Sequence, residues 1–252
     1  MAGLHEVSDN HFALDGHVIR AVLFDVDGTL YHQSVLRLLM LLEMLALPFK
    51  TGSIIKSRQV WKSIGVFRTT REQMRQMHDG SLSLSMLEYL VPAQRLGMEE
   101  SNLKGIIQDW MYRRPLKYLQ FARRGGLVAV FERLYQSGFR IGIFSDYPAK
   151  DKLNALGVSS FVDFFLAATD AEINAFKPDS TGFLRACDLW SLRPDQILYV
   201  GDRPKVDAVG AINAGMPVAI VGRRAWIRGA SSTAADYIRV SSLPHLARLL
   251  CR

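Results

Sequence analysis

Apolar residues follow two different spacings along the chain. Residues 19–24 form a short apolar run, and similar runs occur at 140–144, 164–168, 196–200, 218–221 and 237–240. Short runs rich in β-branched and aromatic residues predict buried strands. Between them apolar residues recur every three or four positions, which predicts helices. This alternation predicts a parallel sheet covered by helices on both faces, an α/β core of the Rossmann-like type.

Residues 31–124 follow the helical spacing throughout, with helices predicted at 35–47, 69–77, 83–96 and 99–112. The segment follows the first strand and is far longer than an ordinary connection between elements. It predicts a second, helical domain inserted into a core formed by residues 1–30 and 125–252.

The composition indicates a folded protein, because 49% of the 252 residues are hydrophobic and 22% are charged. The most apolar stretch, residues 36–49, includes Arg37 and Glu43 and is too short to span a membrane. The chain starts without the apolar run of a signal peptide, and its two cysteines make no disulfide framework. We expect a cytoplasmic protein with no membrane partner, and the oligomeric state stays open.

The net charge of +7 belongs to the inserted segment. Residues 31–124 hold 15 lysines and arginines against 7 aspartates and glutamates. No basic stripe interleaved with aromatic residues accompanies this excess, which argues against a nucleic-acid partner. We expect the charge to attract a small anionic substrate, with Arg113 and Arg114 contributing.

Candidate catalytic residues follow the predicted strands, at the sheet edge where ligands bind in such folds. They are Asp25, Asp27, Gly28 and Thr29 after the first strand, Ser145 and Asp146 after the second, Lys177 in a later loop, and Asp202 and Asp207 after the strand at 196–200. Clustered carboxylates need a cation between them, because mutual repulsion would raise their pKa values. Oxygen ligands without a cysteine or histidine pair suit Mg²⁺ rather than Zn²⁺.

In this order the residues resemble the four motifs of the haloacid dehalogenase-like hydrolase superfamily. The motifs here are Asp25-Val26-Asp27-Gly28-Thr29, Ser145, Lys177-Pro178, and Gly201-Asp202 with Asp207. The resemblance covers about residues 19–250, and the spacing is similar to that of members with a helical cap between the first two motifs. It implies a Rossmann-like parallel sheet core with an inserted α-helical cap domain.

The resemblance implies a Mg²⁺-dependent phosphatase that hydrolyses a small phosphate monoester through an aspartyl-phosphate intermediate. Asp25 would be the nucleophile, already ionised at neutral pH. Asp27 would be a general acid and then a base, which predicts a pKa above that of a free aspartate. Lys177 would balance the negative charge of the phosphate and of Asp25.

The resemblance also assigns ligands. The implied metal site consists of Asp25, Asp202, the main-chain oxygen of Asp27, and Asp207, which would hold a metal-bound water or orient Lys177. The implied phosphate site consists of Gly28, Thr29, Ser145, Asp146 and Lys177. Two residues depart from the common pattern. We expect the Asp146 carboxylate to point away from the phosphate, leaving only its N–H, and Arg203 is bulky for its position.

Three alternatives stay open. A phosphosugar mutase would use the same core and differ in how the cap handles the intermediate. A dehalogenase also uses an aspartate nucleophile, but it has no use for Asp27 or Asp202, which argues against it. A catalytically idle binding module of this fold is disfavoured by the intact set of motif residues.

Overall fold

A parallel sheet forms the centre of the computed structural model, which describes residues 13–14, 17–77, 80–222 and 237–251. Two short strands, β1 (Ala13–Leu14) and β2 (His17–Val18), form an antiparallel pair before it. The sheet consists of β3 (Ala21–Phe24), β4 (Arg140–Ser145), β5 (Phe164–Ala167), β6 (Ile197–Gly201), β7 (Val218–Val221) and β8 (Ile238–Val240), in the order β5-β4-β3-β6-β7-β8. Each strand begins and ends within two residues of its predicted range. The predicted Rossmann-like α/β fold is confirmed, although residues 1–12 lie outside the described ranges.

The inserted segment is helical. It comprises α1 (Gln33–Leu45), α2 (Leu47–Thr51), α3 (Ile54–Met77), α4 (Leu84–Leu96), α5 (Glu100–Ile107), a π-helical turn (Gln108–Arg113) and α6 (Leu116–Ala122). The sequence prediction missed the first half of α3. Its buried positions there are Ser57, Ser63, Ile64 and Phe67, and the two serines weaken the apolar periodicity. No helix in the described ranges is both long and apolar enough to cross a membrane.

The segment leaves and rejoins the core at adjacent points. Tyr31 and Arg123 form an antiparallel bridge, and the Arg124 amide donates to the Leu30 carbonyl at 3.1 Å. Between these points the helices pack around an apolar cluster of their own, which includes Phe67, Tyr89, Leu103 and Trp110.

Helices cover both faces of the sheet, as the alternation predicts. They are α7 (Leu127–Gln136), α8 (Lys150–Leu156), α9 (Thr181–Trp190), α10 (Val209–Asn213) and α11 (Leu243–Leu250). Successive side chains of a strand point to opposite faces. Val22 of β3 therefore joins the cluster that contains Phe131 of α7, whereas Leu23 joins the cluster that contains Phe183 of α9. Burial on both faces holds the carboxyl ends of the strands at one rigid edge.

Candidate active site

The predicted site residues meet at the carboxyl-end edge of the sheet. β3 pairs in parallel with β4 on one side and with β6 on the other. Residues at the ends of these three strands therefore lie side by side, and they include Asp25, Ser145 and Asp202.

Lys177 lies at the centre of the site and is fully buried. Its Nζ donates to Asp25 Oδ1 at 2.7 Å, to Asp207 Oδ1 at 2.7 Å and to the Tyr199 hydroxyl at 2.9 Å. Burial alone would lower the pKa of Lys177, but Asp207 and Asp25 hold it well above its usual value, so the side chain stays charged. Tyr199 was not predicted as a site residue, because in the sequence it is one more large side chain of a buried strand.

Asp25 is buried, and its Oδ2 accepts a hydrogen bond from the Thr29 hydroxyl at 3.0 Å. Burial raises the pKa of Asp25, Lys177 lowers it, and the neighbouring carboxylates raise it again, to about 7. The prediction that Asp25 is ionised at neutral pH is therefore wrong for the metal-free site, because one lysine does not offset burial together with the neighbouring carboxylates. Because its hydroxyl donates to Asp25, Thr29 also orients the Asp25 carboxylate.

Three carboxylates could hold a metal ion. One oxygen from each of Asp25, Asp202 and Asp207 lies within 4.8 Å of the others. Asp202 Oδ1 is buried and has no hydrogen-bond partner among the described residues. Burial and, next, the Asp207 carboxylate raise the pKa of Asp202 to about 6. A buried carboxylate oxygen without a donor, facing two further carboxylates, fits a hard cation such as Mg²⁺.

Gly28 allows Asp202 to approach the loop that follows β3. Its φ is +100°, and a Cβ at this position would overlap the Asp202 carboxylate. The Gly28 carbonyl accepts a hydrogen bond from Arg124 Nη2 at 2.6 Å. Arg124 lies where the helical segment rejoins the core, so this bond ties the junction to the loop that follows β3.

The surroundings of Asp27 differ from those expected of a general acid. Lys152 Nζ donates to its two carboxylate oxygens at 2.6 and 2.8 Å, and the Tyr31 hydroxyl donates to Oδ1. Burial alone would raise the pKa of Asp27, but Lys152 and Tyr31 lower it below its usual value. The predicted rise is therefore wrong for this arrangement. Lys152 was missed, although the sequence carries a signal: it lies in the first turn of the helix that follows Ser145.

Asp146 is neutralised by arginines. Its Oδ2 accepts hydrogen bonds from Arg75 and Arg203, each at 3.0 Å, and Oδ1 accepts from the Lys177 amide at 3.3 Å. Burial alone would raise the pKa of Asp146, but Lys177, Arg75 and Arg203 lower it to about 2. The ion pair also gives the bulky Arg203 a function at its position. Because Arg75 belongs to α3, Asp146 links the helical segment to the core.

A cavity of about 610 Å³ lies between the helical segment and this edge of the sheet. Asp25, Asp27 and Ser145 line it from the core, and residues of α1 and α3 line it from the other side. Asp25 and Asp27 thus face a cavity with room for a small molecule.

The positive charge at the cavity comes from arginines that the sequence did not single out. Arg113 is exposed and Arg114 pairs with Glu43 at 2.8 Å, and neither lines the cavity. Arg37 of α1 and Arg68 of α3 do line it. Arg37 and Arg68 lie on helices, and Arg113 and Arg114 lie where the π-helical turn ends, so which arginines face the cavity depends on how these elements pack.

A family model for haloacid dehalogenase-like hydrolases matches residues 19–215. The chain belongs to this family. It is therefore a hydrolase, and the match spans Asp25, Ser145, Lys177 and Asp202. A curated relative, glyceraldehyde 3-phosphate phosphatase of Methanopyrus kandleri, is 27% identical over 206 residues, which cover 79% of this chain and 82% of the relative.

Solved structures of the family share the fold. A 2-haloacid dehalogenase from Pseudomonas syringae has a TM-score of 0.64 at 17% identity, covering 92% of this chain and 98% of that one. A HAD phosphatase from Thermococcus onnurineus has a TM-score of 0.60 at 23% identity, covering 92% and 97%. Proteins named for two different reactions thus have this fold, and the choice between the reactions depends on the site residues.

Proposed function

We propose that this hydrolase is a Mg²⁺-dependent phosphatase that hydrolyses a small phosphate monoester through an aspartyl-phosphate intermediate. The observation that carries the proposal is the partnerless, buried Asp202 oxygen beside Asp25. A further carboxylate next to Asp25, with a buried oxygen that lacks a donor, favours a site that binds a cation. Displacement of a halide by an aspartate needs no such cation, and an uncompensated Asp202 would only keep the nucleophile partly protonated. The name of the Methanopyrus relative supports the same choice.

In the proposed reaction an Asp25 carboxylate oxygen attacks phosphorus, and the bond from phosphorus to the ester oxygen breaks. Asp27 gives the departing oxygen a proton. Water then attacks the phosphorus of the aspartyl phosphate, Asp27 takes a proton from that water, and Asp25 is released. Lys177 remains charged throughout and offsets negative charge beside Asp25.

Lys152 keeps Asp27 ionised before a substrate binds. A phosphate ester that enters the site brings negative charge close to Asp27, and a like charge raises the pKa of a carboxyl. We infer that, as substrate binds, Asp27 takes up a proton from water or from the monoanionic phosphate ester, and that it then gives this proton to the departing oxygen.

The cation would be held by Asp25, Asp202 and the main-chain oxygen of Asp27, and when bound it would neutralise charge on the phosphoryl oxygens. Asp207 has a different part in the proposal. Its Oδ1 already accepts from Lys177, and its Oδ2 accepts from the Asp202 and Arg203 amides at 3.2 and 2.9 Å. It therefore positions the lysine and the metal-ligand loop. Phosphate oxygens would meet the Ser145 hydroxyl and the amides of the Gly28 and Asp146 loops, with residues 31–124 as the cap.

The test measures phosphate release from phenyl phosphate after removal of metal with EDTA and after restoration of Mg²⁺. We expect release only with the metal, loss of release in Asp25→Asn, and unchanged release in Asp188→Asn, an exposed aspartate of α9. Chloride release from 2-chloropropionate, measured in parallel, should be absent. Metal-independent chloride release without phosphate release would contradict the proposal, and isomerisation of a phosphosugar without net phosphate release would indicate the mutase instead.

A further inference from the structure

The cavity extends well beyond the reacting carboxylates. Its far part is lined by apolar and aromatic side chains of α1, α3, the π-helical turn and α6: Met40, Met44, Trp61, Ile64, Trp110 and Leu116. A volume of about 610 Å³ lies in the range of sites that enclose drug-sized ligands. The phosphate ester of a very short alcohol would leave this apolar lining against water. The lining therefore favours an alcohol with a large apolar body.

Each acidic side chain that lines the cavity already has a cationic partner. The pairs are Asp25 with Lys177, Asp27 with Lys152, and Glu72 and Asp146 with Arg75. Arg37 and Arg68 also line the cavity, and within the described part of the chain neither makes an ion pair or a side-chain hydrogen bond. The cavity thus has positive charge left over, which favours a ligand with a second anionic group.

Helix α3 sets the distance between the two ends of the cavity. Arg75 marks the catalytic end, because its guanidinium donates to the main-chain carbonyl of Lys177. Arg68 and Trp61 follow at intervals of seven residues and share its side of the helix. With a rise of about 1.5 Å per residue, Arg68 lies about 10 Å and Trp61 about 21 Å along α3 from Arg75.

We propose that the cavity selects the phosphate monoester of a large, mainly apolar alcohol that carries a second anionic group, and that Arg68 binds this group. The reacting phosphate lies at the Arg75 end, and the second anion lies about 10 Å further along α3. Arg37 acts nearer the catalytic end, since it is close enough to Tyr31 to influence the pKa of that phenol. The inference rests on the proposed phosphatase function and adds the class of alcohol.

Gly65 keeps the middle of the cavity open. It lines the cavity on α3 between Arg68 and Trp61, and a Cβ added to it would meet no atom within 4 Å. A larger side chain here would enter the Arg68 end of the cavity, where the second anionic group and the adjoining end of the apolar body would lie. Because leucine is a better helix former than glycine, Gly65→Leu fills the cavity without weakening α3.

The first experiment compares kcat/KM for three phosphate esters at saturating Mg²⁺. They are phenyl phosphate, 4-biphenylyl phosphate, and the biphenylyl ester with a carboxylate at the far end of its second ring. We expect kcat/KM to rise from the first to the second, and by about a further tenfold for the carboxylated ester, as a charge-assisted contact to Arg68 would give. Equal values for all three esters would overturn the proposal.

Variants assign the effect to named residues. Arg68→Gln should abolish the preference for the carboxylated ester, measured as the ratio of its kcat/KM to that of the uncharged biphenylyl ester in the same variant. Arg58→Gln, an exposed arginine of the same helix outside the cavity, is the matched control and should keep the preference. Gly65→Leu should lower kcat/KM for the biphenylyl esters much more than for phenyl phosphate, whereas Gly105→Leu, at an exposed helical glycine with open space around it, should change this ratio little. A preference that survives Arg68→Gln would refute the assignment.

A binding measurement separates this inference from the proposed function. In Asp25→Asn, which should not turn substrate over, the carboxylated ester should quench tryptophan fluorescence at a lower concentration than the uncharged ester, since Trp61 and Trp110 line the cavity, and Arg68→Gln should remove this difference. Tight, Arg68-dependent binding without phosphate release in the unsubstituted protein would refute the phosphatase proposal and keep the ligand class. Phosphate release that depends neither on the size of the alcohol nor on the second anionic group would refute the ligand class and keep the phosphatase proposal.

Discussion

Replacing Lys152 with methionine tests whether its ion pair sets the charge of Asp27. The two side chains are 10% and 14% exposed, so the variant leaves a nearly buried carboxylate without its cation. Removing one partner of a buried ion pair costs about 3–5 kcal/mol, and we expect about 3 kcal/mol because Tyr31 still donates to Asp27. In a protein of this size that loss lowers Tm by about 6–12 °C.

The free energy of unfolding that Lys152→Met loses should depend on pH. The native pKa of Asp27 lies below its usual value, because Lys152 outweighs the effect of burial. Such a carboxyl stabilises the fold above its unfolded pKa, and the contribution is lost as the pH falls through the native pKa. Without Lys152 burial dominates and raises the pKa, so ionising Asp27 costs stability as the pH rises above about 4. The difference between the two proteins should be largest near neutral pH and shrink towards about pH 4.

The assay is urea unfolding followed by tryptophan fluorescence at pH 7 and at about pH 4.5, in EDTA so that no metal contributes. Lys150→Met is the matched control, because Lys150 is an exposed lysine in the same first turn of α8. It should change the free energy of unfolding by less than about 0.5 kcal/mol. Adding Asp27→Asn to Lys152→Met should recover most of the loss at pH 7. An equal loss at the two pH values would refute the electrostatic explanation and leave lost packing as the cause.

Three further predictions concern the reacting edge. Asp25→Asn should lower phosphate release at least about 10³-fold with the circular dichroism spectrum retained, and residual activity near that of the unsubstituted protein would exclude Asp25 as the nucleophile. Mg²⁺ binding should release more protons at pH 6.5 than at pH 8.5, because Asp25 and Asp202 have raised pKa values of about 7 and about 6. Calorimetry in buffers of different ionisation enthalpy measures this release, and a pH-independent value would contradict it. Gly28→Ala should weaken Mg²⁺ affinity and activity far more than Gly138→Ala, whose φ of +80° is similar but whose added Cβ meets no atom within 4 Å. Equal effects would assign the loss to backbone strain rather than to the clash with Asp202.

The sequence determined the fold and the positions of the motif residues. Apolar runs separated by helical spacing are local patterns, and burial of both sheet faces leaves the strand ends as the place where polar groups collect. Asp25, Ser145 and Asp202 could therefore be assigned to one edge from the sequence, and the structure places them there. The expectation of a cation between carboxylates followed from the charges alone.

Only the tertiary structure decided which charges neutralise one another. Lys152 and Asp27 are 125 residues apart in the chain, and Asp146 lies 71 residues from Arg75 and 57 from Arg203. For the same reason Arg68 faces the cavity while Arg114 pairs with Glu43. A periodic pattern records which side of an element is apolar, but ion pairs form where polar sides of different elements meet. That meeting depends on where α3 and α8 lie relative to the edge of the sheet, and the Lys152 contact set the pKa of Asp27 opposite to the direction its motif implied.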